Sequence, residues 1–134
     1  MASRRPDVNR TSEPGIVIIQ VDGLSHDVFS HSLRAGRVPE MARWIRTGTH
    51  RLGHWDALLP STTPASQAGI LLGSNEDISA FRWVEKETAT SMACSAPPDC
   101  AELERRLGTG IGLLVDGGAS RGNLLSGEAE DVIL

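Results

Sequence analysis

"IVIIQV", residues 16–21, is an unbroken run of strand length with Gln20 as its one polar member, bounded by Pro14-Gly15 on one side and Asp22-Gly23 on the other. β-branched side chains favour extended backbone. A strand that is apolar on both faces belongs in the middle of a parallel sheet covered by helices. This segment therefore predicts an α/β chain in which residues 16–21 form a central strand.

The segments that follow fit that reading. Ser25 is placed to cap a helix with Val28, Phe29 and Leu33 at helical spacing, closing at Gly36. "PEMARWIRTG", residues 39–48, predicts a second helix, with Pro39 in its first turn, Met41, Trp44 and Ile45 on one side, and Gly48 after its end. "HRLGHWDALL", residues 50–59, reads as a strand. From Pro64 the run "ASQAGILLG" is helical and stops at Gly73. "AFRWVEKETATSMAC", residues 80–94, predicts a hairpin through the alternation of Phe81 and Trp83 around a polar middle. Asp99 and Glu102 give a D-x-x-E start for "CAELERRLG", with Leu103 and Leu107 one turn apart. "GIGLLVDGG", residues 110–118, reads as a short buried strand with a glycine-rich turn at its carboxyl end. Strands alternating with helices, without internal repeat, describe the α/β class.

The chain has 134 residues, enough for one core and too few for two domains of ordinary size. Residues 1–15 read as a flexible arm and residues 16–134 as the domain. Tyr is absent and aromatic residues make up 4%, so the core must come mainly from Ile, Leu, Val and Ala. The net charge of −4 is uneven: residues 1–60 hold 8 Arg against 6 acids, and residues 61–134 hold 5 basic residues against 11 acids. Neither part clusters basic and aromatic residues together, which argues against nucleic acid as a partner. No apolar run approaches the ~20 residues that cross a bilayer, and the N-terminus lacks the apolar core of a secretory signal. A cytoplasmic protein with no membrane segment is expected. Cys94 and Cys100 flank "SAPPD". They are read as free thiols, because a C-x₅-C pair alone supplies too few ligands for zinc.

Two places carry candidate chemistry. Asp22 ends the first predicted strand, and ligands of open α/β sheets gather outside the carboxyl ends of strands, so its carboxylate is placed to hold a cation. Asp-Gly at that point is equally ordinary turn chemistry. The second place is "LPSTTPASQAGILLG", residues 59–73, where Ser61, Thr62 and Thr63 precede Pro64. Thr63 is the expected N-cap. A hydroxyl at a helix start would face a bound phosphate together with unpaired N–H groups and the positive end of the helix dipole. It needs a base or a metal to become a nucleophile.

The pairing of "IVIIQVDG" with "LPSTTPASQAGILLG" resembles the N-terminal part of the alkaline phosphatase superfamily, in its nucleotide pyrophosphatase/phosphodiesterase-like branch. "DISAFRWVEKET" and "GLLVDGGASRGNLLSGEA" also look like a group of such phosphatase-like proteins, so the resemblance covers roughly residues 16–134. It implies a three-layer α/β/α fold with a mainly parallel sheet, present here in truncated form. It implies hydrolysis of a phosphoric ester of a small molecule through a phosphothreonine. Asp22 would then be a metal ligand, Thr63 the nucleophile and Ser66 a phosphate contact. The cofactors implied are divalent ions, zinc first among them, two in a complete site. Sulfate esters are disfavoured, because no C/S-x-P-x-R segment is present.

Two departures stand out. Ser66 and Gln67 occupy the places where that branch has Asn and His, and the Asp and His residues that complete its metal site have no counterpart here. The resemblance thus implies association with a further, C-terminal portion. The alternative is a non-catalytic chain serving as a structural or interaction module, with an exposed sheet edge.

Other constellations carry less. His26 and His31, like His50 and His54, have spacings that do not bring imidazoles together, and all four are expected to be surface or structural residues. "SHD" at 25–27 is no triad, since three successive helical residues diverge. "DGGASRGN" at 116–123 lacks the lysine of a phosphate loop and reads as a flexible turn, with Arg121 as a candidate substrate contact.

Overall fold

The computed structural model describes residues 14–133, so most of the expected N-terminal arm lies outside the described residues. The chain is a mixture of helices and small sheets, divided into two compact units at Arg51 and Leu52.

In the first unit, α1 (His26–Arg34) and α2 (Pro39–Arg46) form where their end signals lie. Ser25 Oγ accepts the Val28 N–H at 3.2 Å, satisfying one orphan donor of the first turn. Asp27 in the first turn, with His31 and Arg34 in the last, complements the helix dipole. Gly36 closes α1 at φ 68°, with its N–H donated to Leu33 O and that of Arg37 to Ser32 O. Pro39 starts α2, and the side-chain hydroxyls of Thr47 and Thr49 take up carbonyls at its end. α1 packs on α2.

Residues 16–21 do not form the predicted central strand. They join no sheet, and Ile16, Val17 and Ile19 are 88%, 85% and 81% exposed. The physical reason is that a strand is stable only with neighbours to pair its N–H and C=O groups and cover its faces, and none of the four described strands does so here. The same holds for residues 50–59, which are also irregular.

In the second unit, α3 (Thr63–Leu72) and α4 (Pro97–Leu107) pack together over a core of Ala65, Ala68, Leu71, Leu72, Leu103 and Leu107, joined by Ile78, Met92, Cys94, Cys100 and Leu125. Gly73 stops α3 in the left-handed region, as its position predicts. The hairpin forms as expected: β1 (Arg82–Glu85) runs antiparallel to β2 (Thr90–Ala93), with Trp83 opposite Met92. Met92 points into the core and β2 lies against α4.

α4 starts at Pro97, two residues before the predicted Asp99, because prolines suit a first turn that needs no N–H. The Asp99 carboxylate instead accepts the Ala93 N–H at 2.9 Å and holds the end of β2.

Residues 110–118 also depart from prediction: they form turns, with Ile111 81% exposed. Glycine serves close approach here. A Cβ on Gly112 would stand 2.6 Å from Gly127 O, and one on Gly118 would stand 2.7 Å from Leu114 O. The predicted flexible turn at 116–123 contains β3 (Ala119–Arg121), which pairs in parallel with β4 (Asp131–Ile133). Among the described residues the sheets are thus one antiparallel and one parallel pair, where a mainly parallel sheet was expected.

Candidate functional site

The hydroxyl row meets α3 one residue out of the expected register. Thr62 is the N-cap, with extended backbone at φ −107°, ψ 154°, and Thr63 is the first helical residue, followed by Pro64. The Thr62 carbonyl accepts the Ser66 N–H at 2.9 Å and so opens the helix. Its side chain makes no capping bond: Oγ1 is shut away from solvent without a hydrogen-bond partner. The cause is partly chemical. A cap hydroxyl accepts from the second or third helical N–H, and Pro64 has removed one of those two donors.

Thr63 and Ser66 lie three residues apart on α3, hence on neighbouring parts of one face at its positive end. Ser66 also lines a cleft of about 140 Å³. Asp22 lies in the turn with Gly23 that precedes α1, and Gly23 adopts φ 70°. Asp22 belongs to the first unit, and Thr63 and Ser66 belong to the second.

Gln67 is a structural residue. It is 6% exposed, its Oε1 accepts the Leu124 N–H at 2.8 Å, and its Nε2 lies 3.5 Å from Asn123 Oδ1. This tie joins α3 to the 123–125 segment. Nothing in the local sequence signals it, because the partners stand 56 and 57 residues away.

Among the described residues, no three His, Cys, Asp or Glu side chains come together in a way that would hold a metal ion. The histidines behave as surface groups: His50 stacks on Trp44 at 4.9 Å, and His26 and His54 lie 3.6 Å from Asp27 and Asp56. The cysteines are free and buried, with Cys100 Sγ donating to Cys94 O at 3.0 Å. Burial, reinforced by Cys100 and Asp99, pushes the Cys94 thiol up to about 11, and Cys100 is raised for the same reason. Both are held as unreactive thiols.

Arg121, the candidate substrate contact, is engaged within the fold. It pairs with Asp131 Oδ2 at 2.7 Å and donates to the carbonyls of Ser120 and Asp131. The strongest charge clusters are structural as well. Arg106 bridges Glu85 and Glu102, tying α4 to β1, and Arg105 adds a second contact to Glu102. Those guanidinium groups hold the Glu102 carboxyl down at about 2 and lower that of Glu85. Glu128 accepts the Gly110 and Gly112 N–H groups, which lowers its pKa.

No helix among the described residues is long and apolar enough to cross a membrane. Compared with family models, curated proteins and solved structures, the chain matches none of them.

Proposed function

We propose that the chain supplies the phosphate-accepting section of a phosphoric ester hydrolase of the alkaline phosphatase kind, acting on a small-molecule ester in the cytoplasm. The observation that carries the reading is the row Ser61, Thr62, Thr63 at the amino end of α3, with Pro64 as the second helical residue. A helix start offers N–H groups and a positive dipole end to an anion, and here Ser61 and Thr63 add hydroxyls, the Thr62 hydroxyl being buried. In this reading Thr63 Oγ attacks phosphorus as the bond to the leaving alkoxide breaks, and the hydroxyl proton passes to solvent base. Water later cleaves the Thr63 phosphoester. Ser66 donates a hydrogen bond to a phosphate oxygen.

By the resemblance, Asp22 would be a ligand of a divalent ion, zinc by preference, an ion whose chemistry is to neutralise phosphate charge. A three-layer α/β/α architecture belongs to the same proposal: in the assembled enzyme residues 16–21 would pair as a strand, and their exposed side chains are the surface such pairing would bury.

The test is release of p-nitrophenolate from bis(p-nitrophenyl) phosphate with and without added zinc. Metal-dependent turnover is expected, abolished by Thr63→Ala and cut at least tenfold by Asp22→Asn. Turnover unchanged in Thr63→Ala overturns the reading.

The exposure of residues 16–21 also favours the second reading, a non-catalytic interaction module. It predicts no turnover by any variant, together with oligomers in size-exclusion chromatography that Ile18→Lys disperses.

A further inference from the structure

We infer that the cleft beside α3 binds one ring-sized apolar group. Its floor is a stripe of α3 in which Gly69 and Gly73, four residues apart, leave a gap in the side-chain surface, flanked by Ser66 and Ile70. Trp55 and Leu58 form the opposite wall. Trp55, Leu58 and Ile70 are large apolar residues left 66%, 67% and 39% exposed around this hollow. The wall is anchored close by: Asn75, past the end of α3, donates from Nδ2 to Leu59 O at 3.3 Å, beside Leu58.

Size then selects the occupant. The hollow measures about 140 Å³, and an apolar protein cavity of about 150 Å³ takes up benzene. A single six-membered ring fills the space, whereas a drug-sized ligand needs at least about twice the volume. Apolar walls with a few polar groups at the rim, here Ser66, Ser74 and Asn75, suit a ring bearing one polar substituent. Because Ser66 lies on this rim, the ring would be the alcohol half of the ester under the proposed function. Binding of the ring itself does not require hydrolysis.

The test is a titration of the whole chain with phenol, followed by amide and indole NMR shifts. Saturable shifts are expected at the Trp55 indole and at the Gly69, Ile70 and Gly73 amides, unchanged in Thr63→Ala. Gly69→Leu fills the hollow from its floor: a Cβ there meets nothing within 4 Å, so the fold is kept, which a melting curve verifies. It should weaken binding at least tenfold, and Trp55→Ala, at an exposed position, should weaken it severalfold. Absence of saturable shifts in the wild type, or an equal titration in Gly69→Leu, overturns the inference. So does a wild-type dimer that Gly69→Leu converts to monomer, because the hollow would then hold a second copy.

Discussion

Gln67 and Leu124 are joined by a hydrogen bond of 2.8 Å from the Leu124 N–H to the Gln67 Oε1, with Gln67 almost fully buried. The side chain that follows the hydroxyl row is thus committed to holding the 123–125 segment on α3. Gln67→Leu keeps the volume but leaves that N–H unpaired, and should cost about 1–3 kcal/mol. Chemical denaturation measures it. A variant as stable as the wild type would show the tie to be dispensable.

Gly112 and Gly69 should respond oppositely to alanine. At Gly112 the new methyl meets Gly127 O at 2.6 Å, so backbone must move and stability should fall by about 1–3 kcal/mol. At Gly69, inside α3 with open space around it, the exchange should raise stability by about 0.5–1 kcal/mol. Thermal melts of the two variants, side by side, check the sign of each.

Thr62→Val exchanges a hydroxyl that is buried without a partner for a methyl of the same shape. Removing an unpaired buried polar group is neutral or favourable, so stability should hold or rise by about 1 kcal/mol. A loss of more than 1 kcal/mol would mean that Oγ1 has a partner in solution.

Acid should loosen the second unit. Glu102, Glu85 and Glu128 all have carboxyls lowered from 4.5 in the folded chain. A lowered folded value means that the unfolded chain binds protons first, so the stabilisation is complete above the ordinary carboxylate range and is lost as pH falls through the folded values. The window runs from about 4.5 down to about 2, the lower end set by Glu102. Glu128→Gln and Arg106→Gln should each flatten the acid limb of a stability-versus-pH curve. An unchanged slope in both would remove these contacts from the account.

The cysteines should resist a thiol reagent at pH 8 in the native chain and react twice per chain after unfolding, since both are buried and Cys94 is raised to about 11. Rapid native labelling would show that the first turn of α4 opens readily.

The parts legible in the sequence are those whose information is local. Ser25 and Gly36 mark both ends of α1, Pro39 marks the start of α2, Gly73 ends α3, and the Phe81 and Trp83 alternation marks the hairpin. Residues 16–21 have strand composition, but pairing depends on neighbours that composition does not name, and among the described residues none is there. The stretch 110–118 has apolar residues enough for a strand, yet its glycines answer to Gly127 and Leu114, contacts visible only once the chain is folded. For the candidate site, the hydroxyl row at a helix start was legible from Pro64. Its register was not, because Thr62 and Thr63 are equally good caps by residue type and the fold selects Thr62. The engagement of Gln67 and Arg121 was also hidden, since their partners are distant in sequence.

The central claim is that Thr63 accepts the phosphoryl group. The most direct measurement is acid quenching of the chain during exposure to bis(p-nitrophenyl) phosphate and zinc, followed by mass spectrometry of the peptide carrying residues 59–73. The account predicts a p-nitrophenyl phosphoryl adduct on Thr63 that forms as the first p-nitrophenolate leaves and is absent in Thr63→Ala. Turnover with no adduct on Thr63, or an adduct on Ser61 or Ser66 in its place, would contradict it.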